Sequence, residues 1–150
     1  MVKRNLIAEI ISILFILLWG YAGISKLIDY SEFRMQLGLS PFITEFSHLL
    51  SWTLPISEIG IAVLLIFSKT QLTGLYFSLF LMTLFSVYIY TMLHHSYYIP
   101  CSCGGILGKM QWKPHLYFNL FFVLLAIIGI LYNQKRSSYK QYVKDKIAIS

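Results

Sequence analysis

The sequence predicts an all-α, polytopic membrane protein: a four-helix transmembrane bundle with both termini cytoplasmic. Three observations carry this expectation. Charged residues are 12% of the 150 and hydrophobic ones 57%, with a mean hydropathy of +0.69. A soluble domain has about 25% charged residues, so this polar surface is too small to cover a water-soluble globule. Four stretches approach the roughly 20 apolar residues that cross the hydrocarbon core as a helix. Finally, Lys and Arg gather beside those stretches, more on one side than the other. That placement accounts for the net charge of +6 through membrane topology rather than nucleic-acid binding, and no nucleic-acid partner is expected.

The first span, "NLIAEIISILFILLWGYAGISKL", covers residues 5–27. The preceding "MVKR" looks like the start of a signal peptide. However, the apolar run exceeds the usual stretch of about 7–15 residues, and no A-x-A-like site follows cleanly, so a retained helix is expected. The second span is "LLSWTLPISEIGIAVLLIF", 49–67, and the third is "LTGLYFSLFLMTLFSVYIYTML", 72–93. Only "SKTQ" separates them, which predicts a tight antiparallel hairpin. The fourth, "HLYFNLFFVLLAIIGILYN", covers 115–133. Residues 1–133 thus form one transmembrane domain, and 134–150 a basic tail suited to anionic headgroups.

Charge sets the orientation. One side carries Lys3, Arg4, Lys69, Lys135, Arg136, Lys140, Lys144 and Lys146; the other carries Lys26, Arg34, Lys109 and Lys113. The richer side is assigned to the cytoplasm, which suits a bacterial cytoplasmic (inner) membrane. Loops 28–48 and 94–114 then face the periplasmic or outer side. In the first loop, Phe33, Leu37 and Leu39 are expected to share one face of an interfacial amphipathic helix. Pro41 and Phe42 then restart the chain.

The second outer loop, "YYIPCSCGGILGKMQWKPH", holds both cysteines, Cys101 and Cys103. A disulfide needs Cα atoms about 4.4–6.8 Å apart, which i and i+2 reach only where the chain bends. Pro100 before the pair and Gly104–Gly105 after it permit that bend. So small a ring contributes little stability and is easily reduced, which favours redox exchange. Lys109, Lys113 and His115 nearby favour the thiolate, as would a short helix over residues 106–112. His94 and His95 are candidate proton acceptors beside the loop. A static staple, a metal site and two inert thiols are the alternatives. Metal is disfavoured because a tetrahedral site wants four ligands, and none is assigned.

Two ionisable residues fall within or beside spans. Glu58 lies some nine residues into the second span, and a carboxylate at that depth is a functional candidate by default. Lys26 sits near the outer end of the first span and can reach Glu58, lowering the cost of burying both. An ion pair locking two helices competes here with proton handling. Pro55 is expected to loosen the helix one turn away and admit water or a ligand. Trp19, Tyr21, Trp52 and Trp112 are interface anchors or packing residues. No motif specifies a cofactor, and a bilayer quinone is the one candidate.

Taken together, "FILLWGYAGISKLIDYSEFR", "LPISEIGIAVLL", "PCSCGG" and "WKPHLYFNLFFVLLAIIGI" resemble, in that order, the MauE/DoxX-like membrane proteins across residues 6–132. The resemblance implies a four-helix transmembrane bundle and a redox association. MauE-type proteins are linked to maturation of methylamine dehydrogenase, whose small subunit is rich in disulfides, and relatives accompany thioredoxin-like proteins. DoxX relatives are linked to a thiosulfate–quinone oxidoreductase. The chain also has something of the quinone-linked membrane thiol oxidoreductases, but has neither their C-x-x-C nor their second cysteine pair.

The resulting expectation is a membrane thiol–disulfide protein. Its outward-facing Cys101–Cys103 pair would serve disulfide formation or maturation of extracytoplasmic proteins, with a thioredoxin-like partner. The alternatives are a non-catalytic scaffold for a maturation or secretion partner, and a quinone-contacting subunit of an oxidoreductase.

Overall fold

The computed structural model describes residues 6–40, 43–95 and 112–148, with side chains described for 6–40, 43–94 and 113–134. Four helices are long and apolar enough to cross a membrane. They are α1 (Leu6–Ile28), α3 (Ser47–Ile66), α4 (Gln71–His95) and α5 (Trp112–Ala148). A short helix, α2 (Tyr30–Gly38), and a 3-10 turn (Thr44–Phe46) lie between α1 and α3. Among the described residues there is no strand.

Each long helix turns one stripe inward at helical spacing. On α1 the stripe is Ala8, Ile11, Phe15, Trp19, Gly23 and Lys26; on α3 it is Ser51, Pro55, Glu58, Ala62 and Leu65. On α5 it is His115, Asn119, Phe122, Ala126 and Ile130. The opposite faces are exposed and apolar: Leu17, Ile24, Val63, Phe80, Leu84, Phe121 and Leu124. A monomer in water does not carry so continuous an apolar surface, and a bilayer covers it. α1 packs chiefly on α3, and α4 on α5.

Close approach relies on small residues, as expected where lipid removes most of the hydrophobic drive between helices. A Cβ on Gly23 would lie 2.8 Å from Ile59 and 3.1 Å from the Pro55 carbonyl. One on Gly74 would lie 2.8 Å from Leu65. Hydrogen bonds then fix the register. Trp19 Nε1 donates to Ser78 Oγ at 2.9 Å in mid-bundle. At the end where α3 turns into α4, Gln71 donates to Ser12 Oγ (2.7 Å) and Asn133 donates to Gln71 Oε1 (3.2 Å).

Three local features refine the sequence expectation. α2 buries Phe33 and Leu37 on the bundle, but Leu39 is exposed just past its end. Leu39 is two residues beyond Leu37, a rotation of about 200°, so it cannot share that face. α3 runs through Pro55 without a break. α5 does not stop at the end of its apolar run but continues as one helix of 37 residues into the basic segment. That is roughly 55 Å at 1.5 Å per residue, against a hydrocarbon core of about 30 Å.

Gly20 has nothing within 4 Å of an added Cβ, which makes it the control for Gly23. Gly23→Ala is expected to cost about 1–3 kcal/mol through overpacking, and Gly20→Ala to be neutral or stabilising by up to about 1 kcal/mol. Thermal unfolding in detergent reads both. Equal melting temperatures for the two variants would contradict the close α1–α3 approach.

Candidate functional site

The site is built at the bundle end that carries α2. There Lys26, two residues before the end of α1, reaches across to Glu58, twelfth residue of α3. Lys26 Nζ donates to Glu58 Oε1 at 2.6 Å. Glu58 is fully buried and the Lys26 side chain 8% exposed. Gly23 makes the contact feasible, because it lets the α1 backbone settle on α3 one turn from Lys26. The Phe33 ring of α2 lies 5.8 Å from Lys26 Nζ, within cation–π range, and covers the ammonium group.

α2 and its connection are tied down by hydroxyl contacts. Tyr30 OH and Ser51 Oγ are 3.0 Å apart, and Ser40 Oγ and Tyr88 OH 2.6 Å apart. Thr44 Oγ1 donates to the Ser40 carbonyl at 2.5 Å. Residues 29–40 and 43–46 therefore cover the bundle end as a cap joined to both α3 and α4.

Beneath that cap is a cavity of about 150 Å³. Its described lining is mostly apolar and comes from all four long helices and α2, including Trp19, Phe33, Phe85 and Phe118. Lys26, Glu58, His115 and Asn119 interrupt that lining, together with the hydroxyl-bearing Tyr88. Glu58 Oε2 and Asn119 Nδ2 have no hydrogen-bond partner among the described residues. Unpaired buried polar atoms are uncommon and costly, which singles the cavity out from ordinary packing.

The structure thus brings three of the sequence candidates to one place, Lys26, Glu58 and His115. It does not bring His94 there: His94 is exposed, with Nδ1 3.0 Å from the Tyr90 carbonyl and its ring on Tyr90 at 4.3 Å. Cys101, Cys103, Lys109, the His95 side chain, Pro41, Phe42 and most of the expected 106–112 helix lie outside the described residues. So does the Trp112 side chain. Trp19 is a packing residue, 1% exposed, whereas Trp52 is exposed and stacks on Tyr30 at 4.9 Å.

Sequence reasoning missed Asn119. Its signal is the polar pair His115 and Asn119, four apart in an otherwise apolar span and so on one helix face. Among the described residues, no group of three or more His, Cys, Asp or Glu is placed to hold a metal ion.

Removing one member of the ion pair leaves the other charge buried alone. Lys26→Met or Glu58→Leu alone is expected to cost about 3–5 kcal/mol, and the double variant much less. Comparative unfolding of the four proteins in detergent checks this. A double variant as unstable as the sum of the singles would contradict a direct pairing.

No curated protein and no solved structure matches this chain. Residues 4–132 do match the family model described as "Methylamine utilisation protein MauE", a stretch that takes in α1 to α4 and the first part of α5. This multi-pass membrane protein therefore belongs to the MauE family.

Proposed function

We propose that this MauE-family protein is a membrane thiol–disulfide redox protein whose Cys101–Cys103 pair exchanges with an extracytoplasmic, thioredoxin-like protein. The observation that supports the reading is that the residue 96–111 segment, which connects α4 and α5, holds both cysteines of the chain one residue apart. That segment contains "PCSCGG". Membership of the MauE family supports it, through the redox association that the resemblance implies.

The exchange balances as follows. A thiolate of one protein attacks the other's disulfide, forming a mixed disulfide and releasing one thiolate. The attacking protein's second cysteine then attacks that mixed disulfide. One disulfide forms, one is reduced, and two electrons and two protons pass between the proteins. Thiolate character sets the rate of the first attack, and Lys109 and Lys113, close in sequence, would favour it. In this reading both termini lie in the cytoplasm and the pair faces the opposite side, where disulfides persist.

Single Cys101→Ser and Cys103→Ser variants test the proposal. With one cysteine absent, the mixed disulfide has no internal resolving thiol. One variant is expected to accumulate a partner adduct on a non-reducing gel that disappears with reductant. No adduct from either variant, together with full complementation by the double variant, would sink the reading in favour of a static staple or scaffold.

A further inference from the structure

We infer that the cavity under α2 is a binding site for a ring-sized, lipid-soluble molecule bearing a hydroxyl group, of the phenol class. Three observations converge on this chemistry. The first is size: a cavity of about 150 Å³ is of the order that holds a single benzene ring in a protein core. The second is the wall. Trp19, Phe33, Phe85 and Phe118 present aromatic surface from α1, α2, α4 and α5, which suits a flat ring.

The third is the pair of polar atoms without partners. Glu58 is bonded to Lys26 through Oε1, and as an ion-paired carboxylate it offers acceptor lone pairs only. Its free Oε2 therefore calls for a donor. Asn119 Nδ2 is a donor and calls for an acceptor. Glu58 is fully buried and Asn119 3% exposed, so bulk water does not serve either atom. A hydroxyl carries both functions the two atoms lack, an O–H that can donate to Glu58 Oε2 and an oxygen that can accept from Asn119 Nδ2. A carbonyl or ether supplies only the second contact. Of the quinone couple raised by the sequence, only the reduced, hydroxyl-bearing form therefore matches the carboxylate. The site is independent of the cysteines, and a phenol does not react with thiols, so the two proposals fail separately.

The test is equilibrium dialysis of para-cresol and of its methyl ether against the full chain in detergent micelles, with empty micelles correcting for partition. The ether keeps the ring and the acceptor and loses the donor. Cresol is expected to bind at least about tenfold more tightly than the ether, and Asn119→Leu to weaken cresol by about tenfold. The probe comparison needs only the unmodified chain, so it stands even where the variant does not fold. Ether binding as tight as cresol, cresol binding unchanged by Asn119→Leu, or no binding of either probe above empty micelles would each overturn the assignment.

Discussion

A carboxylate in the apolar half of a membrane helix needs a partner, and the arrangement around Glu58 follows from that constraint. Glu58 lies well inside α3 and is fully buried, so leaving it unpaired would destabilise the fold. Lys26 meets the need from α1, which fixes the rotation of both helices, since each must turn its ionisable residue inward. The distance between them is fixed as well. Gly23 lets the α1 backbone settle on Pro55 and Ile59, and α2 folds Phe33 back over the ammonium group.

A buried ion pair is nonetheless weak evidence of stabilisation, because packed apolar side chains of similar volume often do as well or better. The far end of the bundle shows the plainer solution. There Ser12, Gln71 and Asn133 join α1, α4 and α5 by neutral hydrogen bonds. The two ends of the bundle thus differ: one is joined by neutral, partnered side chains, and the other holds a buried ion pair beside polar atoms without partners among the described residues. The end with the ion pair is also the one at which the cysteine-bearing segment connects α4 to α5.

Much of this was legible in the sequence. Membrane helices announce themselves because every backbone group must be satisfied internally, and hydropathy alone identified four spans. Lys26 and Glu58 stood out because charges in apolar runs are rare. What escaped is what lacks charge. Asn119 reads as an unremarkable polar residue until α5 turns it into the cavity that Glu58 also lines. The burial of α2 depended on tertiary contacts from Ser51 and Tyr88, on helices whose approach no local pattern reports. The length of α5 was visible in retrospect: no Gly or Pro follows Gly129, so nothing stops the helix where the hydropathy falls.

The central claim is that Cys101 and Cys103 form an exchanging pair rather than a staple. Its most direct test is the reduction potential of that pair in the purified protein, equilibrated against thiol–disulfide buffers and read by alkylation of the free thiols. An exchanging pair is expected to fall in the range of the thiol–disulfide oxidoreductases, about −270 to −120 mV. A value below about −300 mV, typical of structural disulfides, would contradict it.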